Sequence, residues 1–262
     1  MTIDNKINTS RRLLMLGGLN LASSVAYPLL LSAADTGIST RQRVFLNGNH
    51  AFITVARKGR YMANMVTAEE ITGRRDDFAT TQFVRKAKDA YVCFNGSLFR
   101  NKDAASGLEI HNGQEKMPYV ENVGDGVLFT DGNGQVHIMP IKDFLRSFSK
   151  GGGRYYVVDA LQLNLLRYND KIKYKPNELD KRVQRNLIGL TKDGDMIDVI
   201  FKNTNFTLGD MYMRTQHGCI TVGALDGDTS ASAFDINGRS SYIQGRDKPE
   251  EKVPNFVVLY QR

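Results

Sequence analysis

The sequence predicts an α+β fold: a single domain with a mixed or antiparallel β-sheet and a few packed helices. Short apolar runs of strand length recur along the chain, and many are separated by Asn-Gly or Asp-Gly pairs, which tolerate the positive φ of tight hairpin turns. Apolar residues at helical spacing occur in fewer segments. Many hairpins with scattered helices favour α+β over a parallel doubly wound sheet.

The predicted turns and strands alternate along the chain. The turns are Asn47-Gly48, Asn112-Gly113, Asp131-Gly132, Asp193-Gly194 and Asn237-Gly238. The strands contain residues 45, 52–55, 92–94, 127–129, 136–138, 155–158, 187–190, 196–201, 220–225 and 256–260. No domain boundary is visible between them.

Three helices are predicted from apolar spacing and end signals. Two of them cover residues 83–87 and 141–148. The third begins at Thr207, which forms a pattern similar to a capping box with Asp210, and ends before Gly218. It is expected to present three apolar side chains to a core, those of Leu208, Met211 and Tyr212.

The first 34 residues are predicted to be an export signal. Arg11-Arg12 precedes a moderately apolar run over residues 13–31, and Ser32-Ala33-Ala34 suits cleavage before Asp35. We therefore expect the twin-arginine export machinery as a partner and a periplasmic or extracellular location. An uncleaved signal that anchors the protein in the membrane is the alternative. The predicted folded domain is residues 35–262.

Charge and composition exclude several classes of protein. The formal net charge is +7, of which +2 belongs to the first 34 residues, and the basic residues are scattered. Because no zinc-finger or RNP-type motif is present, nucleic acid is not expected as a partner. The four histidines lack the spacing of a zinc site, although His217 near a helix C-terminus is expected to favour its charged form. Cys93 and Cys219 lie in apolar runs and are expected to be buried free thiols.

The candidate catalytic residues are Asp226 and Arg185. Asp226 follows an apolar strand and enters a turn of small and hydroxyl-bearing residues, where a partly buried carboxylate can act as acid or base. The alternative is an Asp that only hydrogen-bonds its own turn. The guanidinium of Arg185 presents a fork of donors that suits a phosphodiester.

The candidate binding residues lie around the same strand ends. Asn95 leaves a strand into Gly96, where it either contacts sugar hydroxyls or forms a turn. Gly227, Thr229 and Ser230 offer backbone N–H groups and hydroxyls to a phosphate. Asp228 is a second carboxylate of the pair that glycoside cleavage uses, or a solvated turn residue. The sequence requires no cofactor, and it leaves open a divalent cation near Asp226 and Asp228.

Several short motifs in a fixed order resemble the phosphodiester glycosidase family. They are Phe94-Asn95-Gly96-Ser97-Leu98-Phe99, Ser106-Gly107-Leu108, Asn112-Gly113, Arg185-Asn186 with Ile188-Gly189, Asn205-Phe206, His217-Gly218-Cys219, and Ala224-Leu225-Asp226-Gly227 with Ser230. The resemblance runs from about Val44 to the C-terminus and adds Gln162, a polar strand residue, as a binding candidate. One departure is Gly227-Asp228-Thr229, where the family often has two or three glycines.

The resemblance implies a hydrolase. Its expected substrate is a sugar-1-phosphodiester, in which the glycosidic bond joins the sugar to phosphate, within a cell-envelope glycan or exopolysaccharide. The alternative is a non-catalytic carbohydrate-binding protein in polysaccharide assembly or export. A concave site that holds Asn95, Arg185 and Asp226 together favours the enzyme, whereas a shallow groove lined by exposed tyrosines favours the binding protein. The sequence leaves the sugar and the oligomeric state open.

Overall fold

The computed structural model describes residues 37–44, 49–74, 77–97, 106–149, 156–173, 181–227, 230–241 and 252–262. All of them belong to one compact unit, Thr36–Arg262. The predicted export signal, the Asn47-Gly48 turn, Asp228 and Thr229 lie outside the described residues. None of the helices in the described ranges is long and apolar enough to span a membrane.

Strands dominate the described part of the chain. They are β1 (Ile38–Val44), β2 (His50–Ala56), β3 (Tyr61–Thr67), β4 (Val92–Asn95), β5 (Glu109–His111), β6 (Gln114–Met117), β7 (Gly126–Asp131), β8 (Val136–Pro140), β9 (Val157–Tyr168), β10 (Lys171–Ile172), β11 (Val183–Thr191), β12 (Met196–Thr204), β13 (Cys219–Ala224), β14 (Ala233–Asp235) and β15 (Asn255–Gln261). The helices are α1 (Ala68–Thr72), α2 (Thr81–Ala87), α3 (Ile141–Ser149) and α4 (Phe206–His217).

The described strands form a large sheet and a small sheet. The main path of the large sheet is β1-β2-β12-β11-β13-β9-β5-β6, with β7 and β10 also paired to β9 and β8 paired to β7. The order of the small sheet is β14-β4-β15-β3. The strand pairs in the described ranges are antiparallel. The α+β prediction is therefore confirmed.

The two sheets pack face to face and helices cover their outer faces. Between the sheets lies the main apolar core, which includes Phe52 and Ile188 of the large sheet and Phe94 and Val257 of the small sheet. Helix α4 packs on the outer face of the large sheet through residues such as Met213. Helix α3 covers β7 and β5 on the same side, while α1 and α2 cover the small sheet. Burial of these faces supplies the main free energy of folding.

Two predicted hairpin turns have the backbone that their sequences favour. Asn112 and Gly113 both have positive φ, of 50° and 73°, between β5 and β6. Gly194 has a φ of 88° between β11 and β12. Such turns match the right-handed twist of the paired strands, which fixes the register of each hairpin.

The predicted start of the third helix is wrong. Asn205, not Thr207, caps α4: its Oδ1 accepts a hydrogen bond of 2.8 Å from the Leu208 N–H. Asp210 forms no capping box, because both of its oxygens bind the guanidinium of Arg167 on β9, at 2.9 and 2.7 Å. The predicted end at Gly218 is confirmed, with a left-handed φ of 68°.

The inward face of α4 also differs from the prediction. Its buried residues are Phe206, Gly209, Asp210 and Met213. Met211, which was expected in the core, is exposed, while Tyr212 is half-buried and packs against the α4 core. The buried Arg167–Asp210 ion pair thus lies on the inward face of α4, next to β9.

The cysteine prediction is confirmed. Cys93 and Cys219 are both buried and free. They lie in different sheets, Cys93 on β4 and Cys219 on β13.

Asp198 on β12 predicts an unusual pH dependence of stability. It is fully buried, and neither carboxyl oxygen has a hydrogen-bond partner within the described part of the chain. Burial raises the pKa of the Asp198 carboxyl well above its usual range. Since unfolding lets this carboxyl ionise above about pH 4, its effect on stability becomes more unfavourable as pH rises through the unfolded-state pKa.

We expect Asp198→Val to raise the free energy of unfolding by about 1–3 kcal/mol at pH 7, because it removes an unsatisfied buried group. The gain should shrink toward pH 4. Urea unfolding at both pH values measures it, with Glu115→Val on the exposed face of β6 as the matched control. A loss of stability at pH 7 would mean that Asp198 has a partner in the folded protein.

Candidate functional site

Asn95 lies at the end of β4, where the two sheets meet. The side chain is fully buried, and its Oδ1 accepts hydrogen bonds from Asn186 Nδ2 (2.8 Å) and from the Ser232 N–H (3.0 Å). Its Nδ2 donates to the backbone oxygen of Asp226 at 2.9 Å. Asn95 therefore joins the small sheet to β11 and to the segment that carries the candidate catalytic carboxylate.

Gly96 continues this connection through its backbone. Its N–H donates to the carbonyl of Asn255 (2.9 Å), and its carbonyl accepts from the Asp226 N–H (3.1 Å). A Cβ at Gly96 would lie 2.2 Å from Asn255 Oδ1, so only glycine fits. Gly96 is thus fixed by packing, and ligand contact through Gly96 stays a prediction.

Asp226 closes a short turn with its own carboxylate. Oδ1 accepts from the Gly227 N–H at 3.0 Å, and Oδ2 lies 2.5 Å from the buried hydroxyl of Ser230. The same hydroxyl lies 2.7 Å from the Gly227 carbonyl. These contacts orient the carboxylate, which is only half-buried. They fit both the catalytic role and the alternative of an Asp that stabilises its own turn.

Arg185 lies beside this turn. The Leu225 N–H donates to the Asn186 carbonyl (3.0 Å), so the antiparallel register of β11 and β13, continued two residues past its last pair, places Arg185 opposite Asp226. A Cβ at Gly227 would be 3.7 Å from the Cδ of Arg185. The half-buried guanidinium stacks over the ring of Phe206 at 4.0 Å from its centroid.

The structure therefore brings together Asn95, Gly96, Arg185, Asp226, Gly227 and Ser230, from both sheets. Asp228 and Thr229 stand between Gly227 and Ser230 in the sequence and lie outside the described residues. Their contribution to binding, and that of a cation near Asp228, stay predictions. Among the described residues, no group of three or more His, Cys, Asp or Glu side chains is placed to hold a metal ion.

Gln162 has a different environment. Its buried amide accepts from the Leu108 N–H (2.8 Å) and donates to the carbonyls of Val120 (2.8 Å) and Gly124 (2.7 Å). These bonds fasten two loops to β9, which is a structural role. Nothing in these contacts brings Gln162 to the Arg185–Asp226 turn, and its role in binding stays a prediction.

Two polar features that are hydrogen-bonded to Asn95 or to the residues after it were not predicted from the sequence. One is Asn186, which was noted only as part of a motif. The other is a buried polar cluster formed by Ser97, Glu109, His111, Asp159 and Asn255. Glu109 and His111 alternate with Leu108 and Ile110, so a period-2 reading of the strand would have placed both on one face.

A cavity of about 180 Å³ extends from Gln184 of β11 to β1 and β2. Gln184, which precedes Arg185, lines it together with Gln42, Val44, His50, Ala51, Phe52, Ile200, Lys202, Ser240 and Ser241. The amide of Gln184 donates to the carbonyl of Ala231 and so connects the cavity wall to the loop that carries Ser230. Amides and hydroxyls over an apolar floor are typical of small-molecule sites.

His217 does not have the charge that its helix position predicts. Burial, with further effects from Arg41 and Arg43, lowers the pKa of His217 to about 4. Desolvation and the two cations outweigh the helix dipole, so His217 is neutral at neutral pH. The expected imidazolium is therefore wrong.

The fold is similar to that of a phosphodiester glycosidase. No family model and no curated protein matches the sequence. Among solved structures, the catalytic domain of zebrafish N-acetylglucosamine-1-phosphodiester alpha-N-acetylglucosaminidase, auto-inhibited by its pro-peptide, has a TM-score of 0.59 at 12% identity, over 87% of this chain and 83% of that one. A hypothetical protein from Synechocystis has a TM-score of 0.53 at 14% identity, over 86% of this chain and 62% of that one. At these identities the similarity is one of fold.

We expect Gly96→Ala to lower the free energy of unfolding by about 1–3 kcal/mol, the usual effect of an added methyl group in a packed core. The new Cβ would displace Asn255 Oδ1, which accepts the Ser97 N–H at 2.8 Å. Gly132→Ala is the matched control, because its nearest neighbour is the exposed Tyr156 side chain at 3.4 Å. Equal stability of the two variants in urea unfolding would contradict the packing constraint at Gly96.

Proposed function

We propose that the protein is a hydrolase that cleaves a sugar-1-phosphodiester at Arg185 and Asp226. The observation that carries the proposal is the position of Arg185 opposite Asp226, on a fold similar to a catalytic domain that acts on this class of bond. Arg185, a cation suited to a phosphodiester, precedes Asn186, and the Asn186 carbonyl accepts the N–H of Leu225, the residue before the oriented carboxylate of Asp226. Charge compensation at the phosphate and an oriented carboxylate at the sugar both favour hydrolysis.

The proposed reaction breaks the bond between the anomeric carbon and the phosphate oxygen. Water supplies a hydroxyl group to the anomeric carbon, and its remaining proton passes to the released phosphomonoester or to solvent. Because the phosphate is already a good leaving group, Asp226 acts chiefly on the sugar side, where it activates water or stabilises the developing oxocarbenium charge. Arg185 compensates the charge of the phosphate.

Asn95 and Ser230 contribute to this reaction by holding Asp226 in place. Asn95 holds the backbone of Asp226, and Ser230 holds its carboxylate. The cavity beside Gln184 offers space for the part of the substrate beyond the cleaved bond. Its volume of about 180 Å³ and its lining of amides, hydroxyls and apolar side chains suit a small polar group of the substrate.

The substrate would lie in a cell-envelope glycan or exopolysaccharide if the chain is exported. This part of the proposal is supported by Arg11-Arg12 and the apolar run that follows. The receptor of a twin-arginine signal reads the arginine pair itself rather than its charge. The two arginines are therefore the point at which export can be tested.

We expect Asp226→Asn to lower turnover by about 10²–10⁴-fold, the usual effect of losing a positioned acid or base. Arg185→Lys keeps one charge but loses the fork, so it should raise KM more than it lowers kcat. Both are measured on a sugar-1-phosphodiester, with folding followed by circular dichroism.

Two exposed residues provide the matched controls: Asp193 in the hairpin turn between β11 and β12, and Arg182 just before β11. The variants Asp193→Asn and Arg182→Lys should both keep wild-type kinetics. Wild-type turnover in folded Asp226→Asn would make Asp226 a turn residue only. A protein that binds the sugar-1-phosphodiester without turning it over would instead be the carbohydrate-binding protein.

Replacing Arg11 and Arg12 together by Lys should leave the precursor in the cytoplasm, because the export receptor distinguishes arginine from lysine. Cell fractionation with immunodetection of the full chain measures this, and Lys6→Arg is the control. Normal accumulation of the double variant outside the cytoplasm would remove the twin-arginine signal from the account.

A further inference from the structure

The buried polar cluster of Ser97, Glu109, His111, Asp159 and Asn255 has no role in the reaction proposed above. Its members come from β5, β9, β15 and the segment after β4, and each is at most 5% exposed. Polar groups are costly to place between two apolar sheet faces unless their hydrogen bonds are satisfied. The hydrogen bonds that offset this cost also indicate what the cluster does.

One proton is shared inside this cluster. The Nδ1 of His111 lies 3.1 Å from the Met65 carbonyl, which can only accept, so Nδ1 carries a hydrogen. The Nε2 of His111 lies 2.9 Å from Glu109 Oε1. Neutral imidazole with its hydrogen on Nδ1 and an ionised carboxylate would both be acceptors there. The short contact therefore requires one proton between Nε2 and Oε1.

The surroundings determine which partner carries that proton. Asn255 Nδ2 donates to the same Glu109 oxygen at 3.3 Å, and Asp159 Oδ1 lies 3.9 Å from His111 Nδ1. Burial lowers the pKa of His111, but the hydrogen bond and charge of Glu109 and the charge of Asp159 outweigh it, so the pKa is raised. The raised pKa of His111 assigns the shared proton to its imidazole ring.

Asn255 connects this pair to the candidate site. Its Oδ1 accepts from the Ser97 N–H (2.8 Å), and its Nδ2 donates to Ser97 Oγ (3.1 Å) as well as to Glu109. Its backbone carbonyl accepts from Gly96, whose own carbonyl accepts from the Asp226 N–H at 3.1 Å. Consecutive hydrogen bonds therefore lead from Glu109 through Asn255 and Gly96 to the backbone of Asp226.

We propose that Glu109 and His111 are positioning residues that share one exchangeable proton and, through Asn255, hold residues 95–97 and the backbone of Asp226 in place. Loss of the proton leaves two acceptors facing each other at Nε2 and Oε1. Glu109 and Asn255 then shift, and the shift reaches Ser97 and Gly96 through the hydrogen bonds that join them to Asn255. The inference rests on the proposed function only in treating residues 95–97 as part of a catalytic site.

The test is an NMR titration of the full chain between pH 5 and 9, which follows the His111 ring and the backbone amide of Ser97. Both should change with one midpoint. Glu109→Gln removes the carboxylate partner and should lower the His111 midpoint by about 1 pH unit or more. Asn255→Ser should leave the His111 titration in place but remove it from the Ser97 amide.

The matched control is His137→Gln. His137 forms a similar pair with Asp131, at 3.0 Å, on β8 and β7. This variant should leave the titrations of His111 and Ser97 unchanged. On the sugar-1-phosphodiester, Glu109→Gln should move the alkaline limb of the pH–kcat profile to lower pH by the same amount as the His111 midpoint, which a residue with a purely structural role would not do.

A Ser97 amide that does not follow the His111 midpoint would overturn the proposal, as would an unchanged His111 midpoint in Glu109→Gln. If Asn255→Ser fails to fold, the Glu109→Gln titration still tests whether Glu109 and His111 share a proton. The NMR arms need no turnover, so a protein that hydrolyses nothing but shows the coupled titration would refute the proposed function and leave this inference standing.

Discussion

The candidate site depends on the buried amide of Asn95. It accepts from Asn186 in the large sheet and from Ser232 in the small-sheet connection, and it donates to the carbonyl of Asp226. A buried amide must be satisfied, so these bonds form only when both sheets are in register. The same few hydrogen bonds therefore fasten the sandwich and determine where the Asp226 turn lies relative to β11.

The interior shows two ways of burying charge. Arg167 and Asp210 form a two-point ion pair at 2.9 and 2.7 Å, and Glu109 and His111 share a proton under Asn255. Asp198 has no comparable partner among the described residues and is buried at a cost. Paired groups specify an arrangement, whereas an unpaired one chiefly lowers stability. The paired Glu109 and His111 lie beside the candidate site and can transmit a change to it.

Features of the fold that depend on local sequence patterns could be predicted from the sequence. Alternating apolar runs and Asn-Gly turns predicted the strands and the α+β class, and Gly218 predicted the end of α4. Long-range partners were not predictable: Arg167 takes Asp210 out of the expected capping box from 43 residues away. The position of Arg185 opposite Asp226 is determined by the register of two strands. The role of Glu109 and His111 is determined by the face of β5 that contacts Asn255. Neither is encoded in spacing along the chain.

The central claim is that the Arg185–Asp226 turn serves cleavage at the anomeric carbon rather than at phosphorus. Hydrolysis of an N-acetylglucosamine-1-phosphodiester by the full chain in ¹⁸O-labelled water, followed by mass spectrometry and ³¹P NMR, tests it directly. Cleavage at the anomeric carbon would give a new phosphomonoester signal and place the label in the anomeric hydroxyl of the released sugar. Label in the phosphate would show attack at phosphorus, and an unchanged ³¹P spectrum with bound substrate would show a binding protein; either result would contradict the account.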